Sequence, residues 1–117
     1  MPITARYIFT ASMDVDSDKE DLFNEVYDEE HVPMLLKVPG VISVMRLKQA
    51  PLKLSIGGEE KTVDTSAEPT YSAIYEIESP DVLTSKEWAD AIEQGRWPEQ
   101  VRPYTSNRRH TLQKVMD

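Results

Sequence analysis

His31 and His110 are the only side chains in this sequence whose ordinary pKa lies near neutrality, so acid–base chemistry begins with them. Tyr27 stands four residues before His31, a spacing that puts phenol and imidazole on one helix face, within reach of a single ligand oxygen. A helix C-terminus and the neighbouring Asp28 and Glu30 favour the protonated imidazole, whereas burial opposes it. The plainer role for His31 is to cap carbonyls or fix the kink at Pro33, and for Tyr27 to fill the core with its hydroxyl satisfied. Arg46 offers a planar fork for a substrate carboxylate, although a surface ion pair is the commoner use of such a residue. Tyr7, Tyr75 and Trp88 add aromatic surface for ligand binding or for packing, and Trp97 reads as core. His110, next to Arg108 and Arg109, either completes an acid/base pair with His31 or sits in solvent or at an interface.

Other chemistries are poorly supported. The absence of cysteine removes disulfides, thiolate metal sites and a cysteine nucleophile, and suits a reducing cytoplasm. Asp14-Val15-Asp16-Ser17-Asp18 with Glu25 imitates an EF-hand loop, but Lys19 replaces the required glycine and Asp21 the apolar position. The two histidines lack ligand spacing, and neither a glycine-rich phosphate loop nor a Gly-x-Ser-x-Gly elbow occurs, so neither metal nor cofactor is expected. A net charge of −8 argues against nucleic acid, which is held chiefly by cations on phosphates. The N-terminus lacks signal-peptide features and no stretch has the roughly 20 apolar residues that span a bilayer, so no membrane association is expected. Charge is unevenly distributed: nine acids and one base lie between Asp14 and Glu30, five bases and two acids between Gln94 and Asp117.

The elements that must position these groups alternate in type. A strand is predicted over Thr4–Met13, then a helix opened by a Ser17…Glu20 capping box, with Leu22, Phe23, Val26 and Tyr27 forming its buried stripe. Pro33 disturbs that helix, one more turn is expected through Met34-Leu35-Leu36, and Val38-Pro39-Gly40 ends it. Strands follow at Val41–Lys48 and Thr70–Ile77, separated by an exposed hairpin-like excursion over 49–69 that turns at Gly57-Gly58. Ser79-Pro80-Asp81 opens a second helix that aims Trp88, Ala91 and Ile92 at the sheet, and Ser106–Val115 is the last strand. The result is one α+β domain over residues 1–117, βαββαβ in order, with a four-stranded antiparallel sheet and both helices on one face. The uncovered face then exposes an apolar patch, best hidden against a second copy, which is the physical argument for a homodimer through sheet faces.

From Phe23 to Gly40, and chiefly at Glu30-His31-Val32-Pro33 and Val38-Pro39-Gly40, the sequence resembles the EthD-like family of the dimeric α/β-barrel superfamily. Tyr71–Ile77, Trp88-Ala89-Asp90-Ala91 and Gly95-Arg96-Trp97 extend the resemblance over most of the chain outside 49–69. It implies a ferredoxin-like protomer whose sheet pairs with its twin's, and a small organic molecule bound between sheet and helices. Several members of that superfamily are cofactor-free isomerases, dehydratases, cyclases or lyases. The expected function is a cofactor-independent enzyme of isomerase, dehydratase or lyase type, cytoplasmic, with His31 as acid/base on a small cyclic or aromatic carbonyl compound. The alternative is a non-catalytic, hydrophobic-ligand-binding or stress-associated dimeric module. A pocket too small for a molecule of roughly 300 Å³ would favour a third reading, a structural partner of another enzyme.

Overall fold

The structure, a computed structural model, describes residues 5–116, so Thr4 lies outside the described residues. Strand β1 (Tyr7–Val15) leads through a 3-10 turn into α1 (Glu20–Val26), which runs on through a π-helical turn (Tyr27–His31) into α2 (Val32–Leu36). Strand β2 (Val41–Lys48) is followed by an exposed hairpin of β3 (Lys53–Ile56) and β4 (Glu59–Thr62), then by β5 (Tyr71–Ile77). A short α3 (Lys86–Ala91), a second π turn (Trp97–Val101) and β6 (Thr105–Lys114) complete the chain. The main sheet has the order β2-β5-β1-β6 with every pair antiparallel. That is the ferredoxin-like arrangement.

Alternation decides which face the helices cover. In β5 the odd positions Tyr71, Ala73, Tyr75 and Ile77 are all buried, and register pairs them with Tyr7, Phe9, Ala11 and Met13 of β1. Phe23, Val26 and Leu35 from the helical layer close over this face with no exposed surface. The aromatic alternation therefore points into the core. The open face carries Ile8, Ile74, Met45 and Leu47 among Thr10, Ser12, Ser43, Ser72, Glu76 and Thr111, with Ser12 Oγ 2.8 Å from Ser72 Oγ and Ser43 donating to Glu76. The uncovered face is therefore mixed rather than uniformly apolar, with Met45 and Leu47 of β2 its most exposed apolar residues of these four.

Both helix starts also differ from the sequence reading. Ser17 opens the 3-10 turn without a side-chain cap, and the Glu20 carboxylate accepts the Tyr71 hydroxyl hydrogen at 2.6 Å instead of reaching back. Ser79 does cap Pro80–Thr84, but that segment is a 3-10 turn, and α3 takes its own cap from Ser85, whose Oγ accepts the Trp88 N–H.

Pro33 is accommodated rather than helix-ending. A proline ring clashes with the carbonyl four residues back, and here the preceding turn is widened, so that the Val32 N–H donates to the Tyr27 carbonyl five residues behind it. Around Pro98 the same spacing recurs, with Arg102 N–H donating to Trp97 O. Both wide turns border the cavity described below.

The chain re-enters the sheet through Val38-Pro39-Gly40-Val41, where Val41 N–H donates to Val38 O at 3.1 Å and Gly40 has φ +91°. Proline second and a left-handed residue third define a type II turn, and a Cβ on Gly40 would also collide with Val82 Cγ2. Gly40→Ala should therefore cost about 1–3 kcal/mol of stability, read as a lower urea midpoint at unchanged m-value.

Candidate functional site

Between the sheet and the helical layer lies a cavity of about 170 Å³. Phe9, Ala11, Met13 and Tyr75 form its floor, and Tyr27, His31, Leu35, Trp88 and Trp97 its helical wall. The helices stop short of edge strand β6, so its outer rim consists of Arg108 and His110, with Arg102 from the preceding turn.

The first π turn brings Tyr27 and His31 ring to ring, edge-on, with centroids 5.0 Å apart. Trp97, from the second π turn, stacks on the imidazole at 4.3 Å and 20° and meets Tyr27 edge-on at 5.1 Å. On the far side the Tyr27 hydroxyl lies 3.2 Å from that of Tyr75. Two hydroxyls sharing one hydrogen bond leave one O–H uncommitted. Burial raises the pKa of Tyr27 and, more strongly, that of Tyr75, so both phenols stay protonated as donors.

His31 is 6% exposed, and its buried Nδ1 has no hydrogen-bond partner among the described residues. Burial, followed by the charge of Arg102, pushes its pKa down to about 4. The carboxylates that would oppose this are engaged elsewhere. Asp28 pairs with Arg46 at 2.9 Å, while Glu30 accepts the Arg96 backbone N–H at 2.9 Å and bonds its Nε. Of the two opposing influences anticipated from sequence, burial dominates, and the imidazole is neutral at physiological pH.

The structure thus brings Tyr27, His31, Tyr75 and Trp88 around one cavity, and His110 with them at the rim. Arg46 lies outside the cavity lining: Asp28 and the Asn24 side chain hold its guanidinium 4.6 Å from the Tyr27 ring centroid. Tyr7 packs against the core without lining the cavity. Sequence reasoning left the polar or aromatic lining residues Trp97, Arg102 and Arg108 out of the site, together with Phe9 and the aliphatic lining. The signal for Arg108 was present, since Arg108 and His110 are two apart on one strand and so share a face. Among the described residues no cluster of His, Asp and Glu is arranged to hold a metal ion, and no helix is long and apolar enough to cross a membrane.

Solved structures with this architecture exist. An ethyl tert-butyl ether D (EthD) family protein from Bacillus halodurans superposes with a TM-score of 0.57 at 13% identity, covering 94% of this chain and 99% of that one. The chain has the EthD-type fold. The heme-degrader MhuD from Mycobacterium tuberculosis, with two hemes bound in its active site, matches with a TM-score of 0.59 at 14% identity over 95% and 97% of the two chains. A single-substitution MhuD variant with two manganese protoporphyrin IX molecules per active site gives 0.55 at 12% identity over 95% and 96%. At such identities the likeness establishes architecture alone. No family model matches the sequence, and no curated protein does either.

Proposed function

We propose that this chain is a cofactor-independent enzyme that moves a proton on a small ring compound bearing a carbonyl, in an isomerisation, dehydration or elimination. The observation that carries the reading is the unpartnered, buried Nδ1 of a neutral histidine on the wall of an aromatic cavity. The neutral imidazole keeps one ring nitrogen unprotonated, and that lone pair accepts a proton from carbon α to the carbonyl once a bound ring is seated against it. The oxyanion that forms takes the uncommitted O–H of the Tyr27–Tyr75 pair.

Size restricts the substrate. At about 170 Å³ the cavity falls below the roughly 300 Å³ of a drug-sized site, which weighs toward the structural-partner reading. Apolar cavities of about 150 Å³ do hold benzene, however, so one ring fits where a porphyrin does not. The unsatisfied imidazole supports a ligand, because a buried polar atom without a partner costs about 1–3 kcal/mol that packing alone has no reason to retain.

Proton exchange tests this without knowledge of the natural substrate. In D2O, the protein should accelerate loss of the α-proton NMR signals of cyclopentanone, cyclohexanone or a ring 1,3-diketone. His31→Gln should lower that acceleration by about 10²-fold or more with the fold intact. Equal exchange by the folded variant would remove His31 from the mechanism. Tight binding of the ring ketones without exchange would favour the alternative, a non-catalytic binding module.

The working unit proposed is a homodimer packed through the open sheet faces, with Met45 (60% exposed) and Leu47 on the contact. Sedimentation should give twice the 13.4 kDa chain mass, and Met45→Asp should return it toward monomer.

A further inference from the structure

From the unpaired guanidinium at the rim of the aromatic cavity, we infer that the ligand is an anion: a single-ring carboxylate whose ring lies among Phe9, Trp88 and Trp97 and whose carboxylate meets Arg108. The inference deepens the proposed function and rests on it for the location of the site. Acids outnumber Lys and Arg by 21 to 13 in the chain, yet no Asp or Glu lines this cavity, whereas two arginines and two histidines do. In a protein of net charge −8, a wall without carboxylates is a part of the surface that an anion can approach.

The two arginines are not equivalent. Arg102 is tethered, with Nη1 donating to Glu93 at 3.0 Å and Nη2 to the Ile92 carbonyl at 2.9 Å, so its charge is already compensated. Arg108 has neither an ion pair nor a hydrogen bond among the described residues, in contrast to Arg46, Arg96, Arg102 and Arg109. Its side chain lines the cavity, and its charge is felt at the Tyr27 hydroxyl and at His110. A guanidinium fork with its donors free is suited to bidentate capture of a carboxylate. Arg109, one residue on, points to the opposite sheet face and pairs with Glu68 at 2.8 Å.

The anion also bears on the acid–base group. Arg102, although tethered, still opposes protonation of His31, and a carboxylate bound at Arg108 favours the imidazolium. The substrate's own charge thereby brings the base closer to the working pH.

Benzoate, benzyl alcohol and benzamide serve as probes, with binding followed by tryptophan fluorescence, since Trp88 and Trp97 both line the site. The parent protein should bind benzoate about tenfold more tightly than the neutral pair, the scale of one charge-assisted, partly screened contact, and the preference should shrink with added salt. Arg108→Gln should abolish the preference while leaving benzyl alcohol binding in place, and Arg109→Gln, which removes an equal charge on the other face, should leave the preference intact. Saturating benzoate should raise the pKa read from the His31 imidazole resonances. Equal affinity for benzoate and benzyl alcohol in the parent, or an undiminished preference in Arg108→Gln, would overturn the inference. Ketone exchange that depends on His31 without any benzoate preference would leave the proposed function standing and remove this inference. Benzoate preference without exchange would do the reverse.

Discussion

Trp97→Ala should destabilise the protein by about 3–5 kcal/mol and should also change the chemistry of a residue 66 positions away. Trp97 is 3% exposed and touches three rings at once: His31 at 4.3 Å, Tyr27 at 5.1 Å and Phe23 at 6.0 Å between centroids. Truncation removes a large aromatic transfer term and leaves a void continuous with the existing cavity, so the neighbours have little means of collapsing to fill it. Water then gains access to the imidazole. Burial is the first cause of the depressed His31 pKa, so hydration should let it rise from about 4 back toward 6.5. Urea unfolding reads the first effect and NMR titration of the His31 imidazole the second. A large stability loss with no movement of the pKa would show that Trp97 supplies packing but is not what keeps water from His31.

Much of this fold can be read from the sequence because the relevant signals are local. The apolar alternation of Tyr71, Ala73, Tyr75 and Ile77 marks a strand with one covered face, and the structure buries all four. The spacing of Tyr27 and His31 places two rings together whether the turn between them is α or π, and they do meet. The identity of the covered face was not legible, because the set Ile8, Ile74, Met45 and Leu47 also alternates, and only the closure of Phe23 and Leu35 over the aromatic set settles the matter. The charge state of His31 was likewise undecidable. Asp28 and Glu30 are its sequence neighbours, but Arg46 and Arg96, brought in by distant segments, take both carboxylates away from the imidazole. Both wide turns were hidden because a proline signals a break, and a break can be absorbed as one extra residue in the turn instead of an end. Ser85 carried a recognisable cap signal, a serine three residues before the Trp88 amide, but Ser79-Pro80 six residues earlier offered the same signal.

The neutral imidazole should also make the protein acid-sensitive in a defined pH range. The folded His31 has a pKa of about 4 against about 6.5 in the unfolded chain, so between these values the unfolded state binds more protons. Stability is therefore intact above about pH 6.5, falls as pH drops through this window and stops falling from this cause below about 4. The full difference amounts to about 3 kcal/mol, a substantial share of the roughly 5–15 kcal/mol that holds a domain together, and a loss in melting temperature of about 10 °C. Asp14 and Glu30, whose pKa values are lowered mainly by backbone N–H donors from Thr70 and Arg96, act at more acid pH: their contribution is present above the unfolded carboxylate range and is lost below it. His110 shifts in the same direction as His31, through partial burial and the charge of Arg108, and is more exposed. His31→Phe keeps an aromatic ring against Trp97, removes the unpartnered nitrogen and has nothing to titrate, so its melting temperature should be nearly flat from neutral pH down to about 4.5. His110→Gln should retain most of the parent's slope. A parent protein whose melting temperature does not change across this range would mean that water reaches His31 freely, and an imidazole in open contact with solvent has no sheltered lone pair with which to act.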